Sequence, residues 1–376
     1  MFLQNIRLKN FRNHSNSYLE FGEKANVFLG DNGEGKTNLL EAISYISLTK
    51  SFYATSDSIV TQLGSEIFEI EANILTDNNI GNKVHIGYNV KTSEKVYSIN
   101  KKRMEPFSSV IGKFPLVFLS PDNSSITFGG PAERRKFLDL VISQSNLSYF
   151  EDLSEYRKVI RHRNRVLYEL KISRSNPSGL LEPWDEQLNN FGSKIVFRRY
   201  NFIQEFQKYI ASAYLNLVDA EETPNIEYAP SFRFGPNITL SSISERFNSE
   251  LERKKQEELR LGTTLVGPHR DEVVFKLNGL DLRSFASQGQ HKTFLVALKI
   301  GEFFYLKERC REKPMFLLDD VFAELDEQRS KHMLKLIESL SQTFITSTNF
   351  EIFDKALTFD GQNKKFSVRT GTVEAV

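Results

Sequence analysis

The eight residues Gly30-Asp31-Asn32-Gly33-Glu34-Gly35-Lys36-Thr37 constrain this chain more than any other stretch, because they fit G-x-x-x-x-G-K-[ST] at every position. Just before them, "ANVFLG" is a short apolar run ending in glycine, as a buried strand feeding a loop should be. Just after them, "NLLEAISYISL" repeats apolar residues at helical spacing. A glycine-rich turn alone is the plainer reading, but strand, glycine loop and helix in this order are the context of a phosphate cradle. The glycines let backbone N–H groups converge on oxygens, and the helix offers its positive end. The candidate binding residues are therefore Gly30, Asp31, Asn32, Gly33, Glu34, Gly35, Lys36, Thr37 and the adjoining Asn38. Lys36 would reach the terminal phosphates of ATP, and the Thr37 hydroxyl would take a place on Mg²⁺.

The acidic strand that such a cradle needs lies almost at the other end of the chain. "PMFLLDD" is an apolar strand ending in Asp319 and Asp320. Asp319, nearer the buried part, is the candidate Mg²⁺ holder, and Asp320 the candidate that orients or deprotonates the attacking water. Solvated acids at a strand end are the plain alternative, and the phosphate loop weighs against it. Asp320 is one methylene shorter than glutamate, so slow turnover is expected. Leu325-Asp326 either lies at a subunit contact or starts the next helix.

Between these motifs the texture changes. The first ~120 residues read as strands around one helix; from about Pro131 to Arg260 helical patterns dominate, the longest from Trp184 to Val218, with Gly192 a point where it would bend. Pro224, Pro230 and Pro236 mark a loop before the last of these helices. Strand texture returns at "GTTLVGPHRDEVVFKLNGLDL", where Asn278-Gly279 reads as a hairpin turn. The expected division is an ATPase lobe from 1–125 plus 262–376 and a helical lobe at 126–261. The fold class is α/β, a mixed sheet lobe carrying an inserted, mostly helical second lobe.

A third feature is "SFASQGQHKTFLVALKI". Ser287-Gln288-Gly289-Gln290 opens a long amphipathic helix and reads as a second anion cradle without a lysine of its own, with Ser287, Gly289 and Gln290 as candidates. A simple helix cap at Ser287 is the competing reading.

Composition removes several classes. A net charge of +1 means that nucleic-acid binding would come from local patches only. Cys310 is the sole cysteine, which rules out an intrachain disulfide and favours the cytoplasm. The six histidines show no metal-ligand spacing, so no structural zinc is expected. The N-terminus lacks the unbroken apolar run of a signal peptide, and no stretch reaches ~18 apolar residues.

The order of these motifs resembles ABC-type ATPase heads, including SMC proteins. "NFRNH", "GKTNLLEAI", "GGPAERRKFLD", "YRKVIRHRN", "VGPHRDE", "FASQGQHKT" and "LLDDVFAELD" together resemble the RecF family of bacterial recombinational-repair proteins over nearly the whole chain. This resemblance implies a weak, DNA-stimulated ATPase that works as an ATP-dependent homodimer. In it, the Ser287 loop of one subunit closes over ATP held by Lys36 of another. It also implies binding to gapped or junction DNA without sequence preference, and work with RecR- and RecO-type partners to load RecA. Roles in replication and SOS induction, and a cytoplasmic, nucleoid-associated location without membrane partners, follow the same way. Relatives often carry a basic residue where Phe52 and Tyr53 stand, and Thr346 occupies the place of the γ-phosphate-sensing histidine of ABC transporters. A transporter ATPase, an SMC-like chromosome protein and a small-molecule kinase or GTPase are the competing classes. The first lacks its histidine, the second its coiled coil, and the third leaves the Ser287 turn unexplained.

Basic clusters stand at Lys101-Lys102-Arg103, Arg134-Arg135-Lys136, Arg157–Arg165, Arg198-Arg199 and Arg253-Lys254-Lys255. Each is interleaved with acids and reads first as solvated surface. They are also the candidates for phosphate contacts with DNA.

Overall fold

The computed structural model describes residues 1–173, 179–218, 222–235, 238–349 and 351–376. Pro236 therefore lies outside the described residues. The chain forms two compact units. The first comprises Met1–Ser124, Ser212–Glu221 and Lys292–Val376; the second comprises Ser125–Ala211 and Glu222–His291.

In the first unit, one sheet is antiparallel. It contains β1 (Phe2–Phe11), β2 (His14–Glu20), β4 (Ile67–Leu75), β5 (Gly81–Asn89), β6 (Glu94–Ile99) and the two-residue β7 (Lys102–Arg103), in the order β2-β1-β4-β5-β6-β7. Its strands alternate buried and more exposed residues, which is why one face packs inward. The other sheet is built from β3 (Ala25–Leu29), β8 (Leu116–Leu119), β12 (Met315–Leu318), β13 (Thr343–Ser347), β14 (Lys364–Arg369) and β15 (Thr372–Ala375). The order is β15-β14-β3-β13-β12-β8, parallel except for the β14–β15 hairpin. Strands β3, β8, β12 and β13 are buried along their whole length, as continuous apolar runs in a parallel sheet must be. Gln342 ties this sheet to the first: its amide accepts from Leu3 N–H at 2.8 Å and donates to the carbonyls of Leu3 and Gly22.

The parallel order decides where a site can form. Because β3, β13 and β12 run the same way, the loop after β3 and the acids after β12 leave the same edge of the sheet, with β13 between them. Helix α1 (Lys36–Leu48) follows the loop directly.

The second unit contains helices Pro131–Ser145 and Leu147–Ser173, most of Glu182–Leu215, and Leu240–Leu261. It also holds a small antiparallel sheet of β9 (Pro224–Ala229), β10 (Glu272–Leu277) and β11 (Leu280–Asp281). Here the expected boundaries shift. Segment 262–291, assigned from sequence to the ATPase lobe, clusters with the second unit because β10 pairs with β9 along six residues. Pro224, expected in a loop, begins β9, an edge strand that tolerates its missing N–H. The Asn278-Gly279 turn is as expected, both residues taking positive φ between β10 and β11. Gly192 lies inside an uninterrupted helix; a Cβ there would run into Phe247 and Tyr156, so it serves close packing.

Buried ion pairs hold this unit together. Arg199 donates to Asp139 at 2.7 Å and to the carbonyl of Pro268. Arg163 lies between Asp185 and Glu258, each at 2.6 Å.

Candidate functional site

The phosphate loop makes its turn with Gly33 and Gly35 at φ of 86° and 106°, values that other residues rarely adopt. Lys36 is 4% exposed, and its ammonium donates to the carbonyls of Gly30 at 2.7 Å and Asp31 at 3.0 Å. The Thr37 hydroxyl donates to Asp319 Oδ1 at 2.8 Å, joining two residues 282 positions apart. The expected cradle residue and the expected metal-holding acid thus share one hydrogen bond. The donor set is hydroxyl and carboxylate oxygen, the ligand chemistry that suits Mg²⁺.

Asp320 follows with a left-handed backbone, φ 49°, and its N–H donates to Thr346 Oγ1 at 2.9 Å. Aspartate tolerates this conformation better than most residues, and strain of this kind is concentrated at functional sites. Burial pushes the Asp320 carboxyl above its usual range; Lys36 pulls it down and Asp319 pushes it further up. Thr346, on β13, also donates to Asp319 Oδ1 at 2.7 Å.

Sequence reasoning missed several residues that shape this region. Asn13 donates to the carbonyl of Glu34 and accepts from the Asn38 side chain at 2.8 Å. Asn38, expected to bind the ligand, is here a support for the loop. His14 is fully buried and bridges the Gly35 carbonyl and Ser17 Oγ. Burial lowers its pKa, so the imidazole stays neutral. From the far end of the chain, Gly371 N–H donates to the Glu34 carbonyl at 3.0 Å, and Thr370 N–H donates to the Glu34 carboxylate. Tyr53 donates its hydroxyl to Asp319 Oδ2 at 2.9 Å, and burial followed by the charge of Asp319 raises its pKa far above normal, keeping it a donor. Apart from the local His14–Ser17 pair, spacing signals none of these contacts, since they join segments at least 21 residues apart.

In the second unit, Ser287 and Gln290 form a reciprocal capping box. Gln290 N–H donates to Ser287 Oγ at 3.2 Å and Ser287 N–H to Gln290 Oε1 at 2.8 Å. Gln290 Nε2 also reaches Glu222 at 2.8 Å. The helix-cap role of Ser287 is therefore real, and it fixes the shape of an exposed turn. Asp326 likewise caps the Glu327–Ser339 helix through Arg329 N–H.

The basic clusters contract sharply as DNA candidates. Arg134 is buried and forks onto Glu272, Arg135 donates to the Asp271 carbonyl, and Arg163 and Arg199 are core residues. Arg198 pairs with Asp152, Arg253 with Glu250 and Lys254 with Glu257. Arg103 pairs with Glu94 and Glu105. Lys101, Lys102, Lys136 and Arg161 remain exposed. Among the described residues, no helix is long and apolar enough to cross a membrane.

Comparison with known proteins fits this geometry. Residues 2–372 match the model of the RecF/RecN/SMC N terminal domain. "DNA replication and repair protein RecF" of Chloroherpeton thalassium is 41% identical over 356 residues, covering 94% of this chain and 96% of that protein. Its counterpart in Salinibacter ruber is 39% identical over 375 residues, covering 99% and 91%. A solved structure of the recombination mediator protein RecF-ATPrS in the RecFOR pathway superposes with a TM-score of 0.92 at 32% identity, over 100% of this chain and 98% of that one. The Smc head domain of Pyrococcus furiosus, at 15% identity and a TM-score of 0.57, shares the fold. With identities of 39–41% across nearly its full length and a family model spanning almost every residue, the chain belongs to the RecF family.

Proposed function

We propose that this protein is an ATP-driven DNA-binding switch of recombinational repair. The observation that carries the reading is the 2.8 Å contact of Thr37 with Asp319, which brings phosphate loop and acidic strand together at one sheet edge. The relatives named for DNA replication and repair, and the similar structure described as RecF-ATP in the RecFOR pathway, support it.

In this reading Lys36 exchanges its two carbonyl partners for phosphate oxygens, which make stronger, charge-assisted hydrogen bonds. Thr37 and Asp319 would hold Mg²⁺, which would neutralise phosphate charge when bound. Asp320, fixed by its N–H on Thr346, orients the water that attacks the terminal phosphorus. The Ser287 turn of a second copy closes over the nucleotide, so ATP joins two chains and its hydrolysis releases them. The dimer binds gapped or junction DNA mainly through phosphates and works with RecR- and RecO-type mediators to help load RecA. It supports replication and SOS induction, and acts in the cytoplasm at the nucleoid.

Sedimentation with and without ATP tests this directly. Wild type is expected to dimerise with ATP, Lys36→Ala to bind no ATP, and Ser287→Arg to bind ATP as a monomer. A Ser287→Arg protein that dimerises at wild-type strength refutes the shared site. Asp320→Asn should bind ATP and stay dimeric for longer; unchanged hydrolysis clears Asp320 of catalysis. DNA affinity should fall with salt at a log–log slope of about −0.9 per neutralised phosphate.

A further inference from the structure

One residue at the sheet edge belongs to neither the phosphate loop nor the acidic strand. Tyr53 stands in the segment after α1, 266 positions from the Asp319 it touches. Its backbone is anchored from below: Ser51 Oγ accepts from Tyr53 N–H at 2.8 Å and from Ala54 N–H at 2.6 Å, and donates to Glu41. Glu41 is 1% exposed and is gripped by both arms of Arg12, at 2.7 and 2.8 Å. The rings are fixed as well. Phe52 stacks on Phe118 with centroids 3.7 Å apart, and Tyr53 meets Phe118 edge-on at 5.8 Å. Phe118 lies on β8, the strand beside β12. The buried Ser120 hydroxyl neighbours the phenol.

The two oxygens of Asp319 are held differently. Oδ1 accepts from Thr346 at 2.7 Å and Thr37 at 2.8 Å. Oδ2 accepts from Tyr53 at 2.9 Å and only a longer, shared bond of 3.1 Å from Thr37. Without the phenol, Oδ2 would keep only that longer bond, and the carboxylate would be held less firmly about its last torsion, a broad and soft one.

We propose that Tyr53 is a positioning residue for the metal-holding acid: its hydroxyl fixes the plane of the Asp319 carboxylate, so that a divalent cation reaching Thr37 meets a pre-set ligand. This rests on the reading of the site as one for a nucleotide with its metal. Hydrogen-bond partners behind metal ligands raise affinity by holding ligand orientation, and their loss weakens binding about 10–100-fold.

The test uses the full chain and Tyr53→Phe, which keeps the ring packing and removes only the hydroxyl. Mn²⁺ binding is followed by electron paramagnetic resonance in the presence of ADP, and ADP binding is measured separately with EDTA. The variant is expected to bind Mn²⁺ about tenfold more weakly, with metal-free ADP affinity and unliganded melting temperature unchanged. Equal or tighter Mn²⁺ binding overturns the proposal, and so does a melting shift with unaltered Mn²⁺ affinity. A wild-type protein that takes up neither ADP nor Mn²⁺ defeats the underlying functional reading instead.

Discussion

Lys36 and Arg199 are both buried cations, one in each unit, and their surroundings differ in kind. Lys36 gives its hydrogen bonds to two backbone carbonyls. Arg199 is 2% exposed and faces carboxylates, Asp139 at 2.7 Å and Asp271 at 3.6 Å. Asp319 shows the same contrast from the acidic side, since its hydrogen bonds come from the hydroxyls of Thr37, Thr346 and Tyr53, whereas Asp139 receives a guanidinium and the Tyr149 hydroxyl. Neutral partners satisfy hydrogen bonds without cancelling charge, so an incoming ion gains much by replacing them. Ionic partners cancel it, and removing one leaves the other stranded. The phosphate loop and acidic strand keep their charge available, whereas the charges around Arg199 are committed to architecture.

The largest expected effect tests the committed charge. Arg199→Met leaves Asp139 and Asp271 without their counter-ion and should cost about 3–5 kcal/mol by urea denaturation; a loss under about 1 kcal/mol would erase the contrast. Next comes pH. His269 accepts or donates with Tyr156 at 2.7 Å, and its pKa is pushed down to about 4, chiefly by burial, with the charges of Arg270, Arg135 and Arg199 acting the same way. A depressed histidine is bound neutral, so its contribution is fully present above the unfolded value near 6.5 and is lost as pH falls towards 4, on the order of 3 kcal/mol. Denaturation at pH 7 and pH 4 should show a smaller pH loss in His269→Asn than in wild type, and identical losses would exclude this group. Ser287→Ala should remove only the cap, about 1 kcal/mol, seen as faster amide exchange in the first turn of the Gln288–Arg309 helix. Smallest of all, Lys36→Ala should change unliganded stability by less than about 1 kcal/mol, because carbonyls on an open loop can turn to water. A loss as large as that of Arg199→Met would mean that Lys36 is structural too.

Legibility in the sequence followed the same line between local and distant. The strand before the phosphate loop, the helix after it and the apolar run before Asp319 were readable because periodicity and burial are local properties. Strand β9 was hidden by Pro224, and the β14–β15 hairpin by the mixed polarity of "KKFSVRTGTVEAV", partly buried at the sheet edge. The basic clusters misled because runs of arginine look alike whether they meet solvent or, as at Arg163 and Arg199, a carboxylate brought in by another helix. Lys36, Thr37, Asp319 and Asp320 could be named from motif chemistry. Tyr53, Asn13 and His14 could not, since their partners are set by topology and not by spacing.

The position of β3 also has a cost in time. The strand that leads into the lysine loop is finished by residue 29, yet its two neighbours span 343–347 and 364–369, and the Gly371 amide that steadies the loop comes later still. At ~5–20 residues per second, ribosomal synthesis leaves this apolar segment waiting tens of seconds for its mates. Until then the apolar face of β3 has no strand beside it, and a product ending before residue 343 would lack both strands that flank it.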